Sequence, residues 1–335
     1  MTSLLFVNGQ VRALEHKLLD VNRLDRMIGA SSPEDAFRVL VELQYAEYFD
    51  DSVQAQDFAK IITQGLEETK KLLIEGTGNH PGLGMLWYEF DLNNIKRALK
   101  LKHLEAAESL GKFSEKEGFS SLGNITAEDL DSAVFHQRFA DDFPEEFIEI
   151  IKNTESLLAT KKHFRFVEFA CDQAYFDLLS RIFSGIKDPF LDDLLALKAD
   201  MTNLRMMARS LLVIEEPLEE AAFLSYGRLD WSEVHQIETF ADFVGLVKRT
   251  SFWALSGQIE ADKSPEENIH ALEKALDHQY HQFIRQAQEG ETDSLAVAIH
   301  YIERRLQNAR LLKFVMFAKF HGLDPKVIYK TLEQF

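Results

Sequence analysis

Side chains that could do metal or acid chemistry are few in this 335-residue sequence, and they are widely spaced. Asp277, His278 and His281 put two imidazoles about one helical turn apart, a spacing that could hold a metal ion. A di-iron bundle would need two Glu-x-x-His pairs, and the sequence has one, from Glu267 to His270. A solvated helix face explains both groups more simply, so we predict neither a metal site nor a catalytic residue.

Other chemical motifs are incomplete. Asp192 and Asp193 are typical of the acidic helices of prenyl-transferring enzymes, but a second aspartate-rich segment at a suitable spacing is missing. Cys171 is the only cysteine and has no base beside it in sequence, so we interpret it as a small core residue. The glycine-rich segment GTGNHPGLG lacks a phosphate-binding lysine and is interpreted as a loop, so no cofactor is predicted.

Charge and hydropathy exclude several kinds of partner. The 37 basic and 55 acidic residues give a net charge of −18, which argues against a nucleic-acid or anionic-lipid surface. No run of about 20 uncharged apolar residues occurs, and the N-terminus lacks a signal-peptide pattern. We expect a protein that is soluble when isolated, or at most peripheral to a membrane, with no nucleic acid and no direct membrane insertion.

The elements that carry the remaining polar residues are three similar amphipathic helices. Their cores read DLNNIK, DMTNLR and RLQNAR, at intervals of 109 and then 105 residues. Each core has an asparagine and, two positions later, a basic residue; the asparagines are Asn94, Asn203 and Asn308. The apolar spacing is helical and no segment alternates like a strand. The sequence therefore predicts an all-α protein of three similar helical units, at residues 1–112, 113–217 and 218–335.

These helices are basic although the chain is acidic. We predict that seven of their cations bind a partner: Lys96, Arg97, Arg205, Arg209, Arg304, Arg305 and Arg310. The alternative is a set of solvated faces with weak helix-level ion pairs. The three asparagines are either binding groups or inter-helix hydrogen bonds that fix register.

A second correspondence precedes the repeated helices. Asp172 and Asp277 each lie 31 residues before the asparagine of their unit, in DQAY and DHQY respectively. The same offset in the first unit falls on Thr63, so the match is partial there.

The chain resembles a family in its start SLLFVNGQVRALEHKLL, its capped helix SPEDAFRVLVELQYAEYF, the DLNNIK and ADMTNLR helices, and the ending YIERRLQNARLLKFVMFAKFHGL. The resemblance is to the C subunit of archaeal and bacterial A/V-type rotary ATPases, the counterpart of the d subunit of the vacuolar ATPase. Members often carry Asn-Ala-Arg near the start, where this chain has Asn8-Gly9-Gln10.

The resemblance implies a funnel of three units around a pseudo-threefold axis. It also implies a non-catalytic socket on the cytoplasmic face of the membrane, between the central stalk and the proteolipid ring, that couples ATP hydrolysis or synthesis to proton or sodium transport. Reversing Arg304 and Arg305 to Glu is then expected to weaken stalk binding without unfolding the protein. The alternative is a free-standing all-α metal-dependent enzyme with a polar central cavity, in which His278 and His281 would be tested first.

Overall fold

The computed structural model describes residues 3–43, 53–103, 119–161, 165–214, 218–260 and 263–332. Regular structure in these ranges is helical throughout and contains no strand, which confirms the all-α prediction. The α-helices are α1 Leu4–Leu14, α2 Val21–Gly29, α3 Pro33–Val41, α4 Phe58–Thr77, α5 Pro81–His103, α6 Ala127–His136, α7 Glu145–Lys161, α8 Arg165–Ile186, α9 Pro189–Arg209, α10 Trp231–Val234, α11 Phe240–Arg249, α12 Pro265–Gln288, α13 Leu295–Phe320 and α14 Pro325–Leu332.

Local capping explains where several helices begin. The Ser32 hydroxyl accepts the amide of Asp35 at 3.1 Å, and a proline occupies the first turn of α3. At the start of α12, the Ser264 hydroxyl accepts the amide of Glu267, whose carboxylate accepts the amide of Ser264 in return. The start of α3 agrees with the capped helix SPEDAFRVLVELQYAEYF noted in the sequence. Glu267, one half of the Glu-x-x-His pair, is therefore occupied as a cap.

The chain divides into two compact units. The N/C unit contains Met1–His80 and His281–Phe335, and the central unit contains Pro81–Tyr280. The sequence-based boundaries after residues 112 and 217 fall on residues outside the described ranges. The division into three similar units therefore stays a prediction.

Three long helices each precede one of the three repeated helices: α4 precedes α5, α8 precedes α9, and α12 precedes α13. In the central unit, α8 packs against both α5 and α9, and the buried Tyr175 hydroxyl donates to the Met85 carbonyl at 3.1 Å. In the N/C unit, α13 packs against α4 and α1. Each repeated helix buries apolar residues along most of its length, for example Ile95, Leu204 and Ile302.

Candidate partner-binding surface

The side chains of the first two repeated asparagines each bind the backbone of a loop. Asn94 on α5 donates to the Ser120 carbonyl at 2.9 Å and accepts the Ser120 amide at 3.0 Å. Asn203 on α9 makes the same pair of bonds with Leu224, both at 2.9 Å and both buried. Of the two alternatives, the inter-helix hydrogen bond does not hold for Asn94 and Asn203, because each of these side chains binds a loop rather than another helix.

An aspartate one turn earlier holds the same loop further along. Asp91 accepts the amide of Asn124 at 2.7 Å, and Asp200 accepts the amides of Arg228 and Leu229 at 2.9 and 3.0 Å. In both loops a glycine lies three residues after the residue that the asparagine binds, which is Ser120 or Leu224. The N-cap of the next helix lies six residues after it. A Cβ on those glycines, Gly123 and Gly227, would lie 2.2 and 1.9 Å from the aspartate oxygen. Glycine is therefore required at both positions.

The third copy, in the N/C unit, departs from this pattern. With its amide oriented to suit both neighbours, Asn308 accepts the Leu19 amide at 2.7 Å and donates to the Arg304 carbonyl at 3.2 Å. The next helix cap, Asp20, follows directly, so this loop is shorter than the other two. Arg305 replaces the aspartate, is buried, and donates to the Gly65 carbonyl at 3.1 Å.

Cations of the first repeated helix are neutralised within the chain. The Lys96 ammonium on α5 lies 2.6 Å from the Asp172 carboxylate and 2.8 Å from the Glu168 carboxylate, both on α8. Lys100 also pairs with Glu168. Burial favours neutral Lys96, but the charges of the two carboxylates and their hydrogen bonds outweigh burial, so the pKa of Lys96 is raised.

The second repeated helix forms the equivalent ladder with α12. Arg205 lies 2.6 Å from Asp277, and Arg209 lies 2.6 Å from Glu273. The two acids are four residues apart, as Glu168 and Asp172 are, and the two arginines have the spacing of Lys96 and Lys100. Asp172 and Asp277 are the residues whose matching offset stood out in the sequence, and the ladder supplies its physical cause.

Of the seven predicted partner-binding cations, Lys96 is 8% exposed and Arg305 is 2% exposed. Arg205 and Arg209 hold carboxylates of this chain, and Arg97, Arg304 and Arg310 are exposed. Reversing Arg305 to Glu would place a carboxylate in the buried position beside the Gly65 carbonyl. The expectation that this reversal leaves the fold intact is therefore corrected, whereas the partner-binding role of the other cations stays a prediction.

Residues 7–331 match the family model described as ATP synthase (C/AC39) subunit. The chain belongs to this family. The resemblance to the C subunit of A/V-type rotary ATPases is thereby confirmed. A search of the curated proteins finds no significant match. Among the described residues of this C/AC39-family chain, none of the helices has both the length and the hydropathy needed to cross a bilayer.

Three of the side chains considered for metal, acid or nucleophilic chemistry are paired or buried in this C/AC39-family protein. Asp277 is held by Arg205, and Asp193 lies 2.6 Å from Arg228. The described ranges contain no cluster of three or more metal-ligating side chains. Cys171 is fully buried, and burial raises the pKa of its thiol to about 12. This confirms its interpretation as a core residue.

Sequence reasoning missed the aspartate clamps and their glycines. Their signal is present in the loops SLGNI and SYGRL, which share serine, glycine and a final branched aliphatic residue at the same spacing. Aligning these loops by their distance from Asn94 and Asn203 would have paired Gly123 with Gly227.

Proposed function

We propose that this C/AC39-family protein is the non-catalytic part of a V/A-type rotary ATPase that links the central stalk to the membrane proteolipid ring. In that position it couples ATP hydrolysis or synthesis to proton or sodium transport, as a peripheral protein on the cytoplasmic face. The observation that carries the proposal is the family match, which extends over residues 7–331.

The way the chain uses its polar residues supports a mechanical role. In the central unit, Asn94, Asn203, Asp91 and Asp200 bind loop backbone, and Lys96 is bound by acids of the next long helix. Buried polar groups with defined partners hold one arrangement of helices and loops, because any other arrangement leaves them unpaired. A part that transmits torque needs such stiffness and no catalytic group.

Pseudo-threefold arrangement of the three repeated helices is part of the proposal. Glu89 and Lys198 occupy the same position in α5 and α9, five residues before Asn94 and Asn203. Their side chains form an ion pair of 2.7 Å. Two helices that meet through equivalent positions are expected when a rotation axis relates them.

Native mass spectrometry of the purified chain tests the function. The chain is mixed with the central-stalk subunits of the same organism, and separately with the detergent-solubilised proteolipid ring, at low and at high salt. We expect a one-to-one complex with the stalk and a complex with the ring. If a chain that is folded by circular dichroism binds neither, the coupling role is refuted, and a bound metal in the same spectrum would redirect attention to an enzymatic role.

A further inference from the structure

The third repeated helix lacks the acidic partners that the first two have. The long helix packed against α13 is α4, and its residues at the positions of Glu168 and Asp172 are Ala59 and Thr63. Thr63 accepts a hydrogen bond from Lys313 at 3.0 Å, but it carries no charge. The acid pair that neutralises Lys96 and Lys100 on α5, and Arg205 and Arg209 on α9, is therefore absent from α4.

Arg310 shows the effect of this difference. It occupies the position of Lys96 and Arg205, two residues after the asparagine, yet it is exposed and forms no ion pair with any residue in the described ranges. Its equivalents bind an acidic helix of this chain with nitrogen to oxygen distances of 2.6 Å. Within the described residues, Arg310 therefore lacks the acidic partner that Lys96 and Arg205 have.

Arg304 extends the same charge. Its equivalents in the other two helices are Phe90, which is partly buried, and Ala199, which is fully buried. Arg304 is exposed and, within the described part of the chain, has no side-chain partner. Among the three repeated helices, the third alone has a cation at this position.

Exposed aromatic side chains lie near the end of α13. Phe317 is 56% exposed and Phe320 is 40% exposed. Phe317 lies seven residues after Arg310, nearly two helical turns, so these two side chains lie on the same side of α13, about 10 Å apart along its axis at the helical rise of about 1.5 Å per residue, whereas Arg304 lies about 120° around the helix from Arg310. Large aromatic side chains beside arginine are typical of protein interfaces.

We propose that the exposed side of α13 that carries Arg310 and Phe317, with Arg304 at its other edge, is a docking surface for an acidic helical segment of a protein partner. The partner approaches from the solvent side, because α4 already occupies the place on α13 that corresponds to α8 and α12. The proposal rests on the coupling function, and it identifies the central stalk as the partner to test first. We call this face the α13 surface.

Charge chemistry favours an acidic protein over the other polyanions. Nucleic acid and anionic membranes carry a continuous array of negative charge, which a chain with a net charge of −18 repels more strongly than a protein helix that carries only a few carboxylates. A protein helix with a few carboxylates among apolar residues meets both the arginines and the phenylalanine. The pairs of Lys96 and Arg205 show that a carboxylate on a helix can meet a cation at the helical position of Arg310.

The test compares R304E/R310E with wild type in binding to the purified central-stalk complex, by titration at low and high salt. The matched control is K248E/R249E, which makes the same charge change at two exposed residues of α11. We expect R304E/R310E to weaken binding about ten- to a hundredfold at low salt, with a smaller difference at high salt, and the control to bind like wild type. Circular dichroism should show both variants folded, because all four side chains are exposed.

A second variant tests the missing acids directly. A59E/T63D gives α4 the acid pair of α8, which should neutralise the α13 surface from within the chain. We expect weaker stalk binding together with unchanged or higher thermal stability. Ala59 is exposed in the first turn of α4, where a carboxylate is favoured by the helix dipole.

The outcomes separate this proposal from the coupling function. If wild type binds the stalk and R304E/R310E binds equally well, the α13 surface is not the docking site, while the coupling function stands. If wild type binds neither stalk nor ring, both fall. Vesicles of zwitterionic and of anionic phospholipid form a third arm; arginine-dependent binding to the anionic vesicles alone would replace the protein partner by a membrane and overturn the proposal.

Discussion

Replacing Asn203 by alanine removes two hydrogen bonds, and the resulting loss in the free energy of unfolding can be estimated from them. The side chain is fully buried, and both bonds to the Leu224 backbone are buried. Its removal leaves one buried amide and one buried carbonyl unpaired, at about 1–3 kcal/mol each. Alanine recovers roughly 0.5 kcal/mol of helix propensity. We expect a net loss of about 2–5 kcal/mol.

Asn94 and Asn93 give a graded comparison on one helix. The Asn94 bonds to Ser120 are only partly buried, so water can replace part of what N94A removes, and we expect about 1–2 kcal/mol. Asn93 is exposed, so N93A should be neutral or slightly stabilising. Thermal unfolding followed by far-UV circular dichroism should rank the midpoints as N93A, then N94A, then N203A. The span should be roughly 5–15 °C for a unit of this size.

The reasoning fails if N203A melts within about 1 °C of N93A, a shift too small for two lost buried hydrogen bonds. That result would mean that the loop finds other partners and that the matched clamps do not hold the fold. An N203A midpoint close to that of N94A would instead show that the burial of the Leu224 backbone adds nothing.

Three further changes test single contacts. Gly227→Ala places a Cβ 1.9 Å from an Asp200 oxygen and should cost about 2–4 kcal/mol by displacing that carboxylate from its backbone donors, whereas Gly245→Ala, with open space around it, should stabilise α11 by up to about 1 kcal/mol; chemical denaturation compares the two. Burial and then neighbouring cations lower the pKa of His300 from 6.5 to about 4, so the folded protein resists a proton that the unfolded chain accepts. Stability should therefore fall as the pH drops from about 6.5 to about 4, by roughly 1–3 kcal/mol, and His300→Gln should flatten that slope in midpoints measured across this range. Cys171, with its raised pKa and full burial, should resist a thiol-specific reagent until the chain unfolds, as mass spectrometry of the labelled protein can check.

Helices were predictable from the sequence because their signals are local. Apolar spacing and caps such as Ser32 lie within a few residues of the element they define, and the expected helix begins there as α3. The offset that matched Asp172 with Asp277 was also visible in the sequence. Its meaning was not, because each of these acids pairs with a repeated helix that lies more than 70 positions earlier in the chain.

Whether a charged side chain is buried and paired within the chain could not be predicted from the sequence. Lys96 and Arg310 hold the same position in their helices, yet Lys96 is buried between two carboxylates and Arg310 is exposed. The difference lies on another helix, where Asp172 in one copy corresponds to Thr63 in the other. Burial is a property of packing between distant segments, so a pattern along one helix predicts a basic residue without predicting its partner.

The three repeated helices differ in whether their cations have acidic partners, and this difference matters more for binding than for stability. The partly exposed pair of Arg205 with Asp277 is worth about 1 kcal/mol or less, so the lack of such a pair at the exposed Arg310 costs little stability. The same absence leaves Arg310 without a counterion among the described residues. A carboxylate of a partner could therefore bind Arg310 without first breaking an ion pair within this chain. Binding at α5 or α9 would first have to break the pairs of Lys96 or Arg205. Of the described parts of the three repeated helices, we therefore expect the third to accept an acidic partner at the lowest free-energy cost.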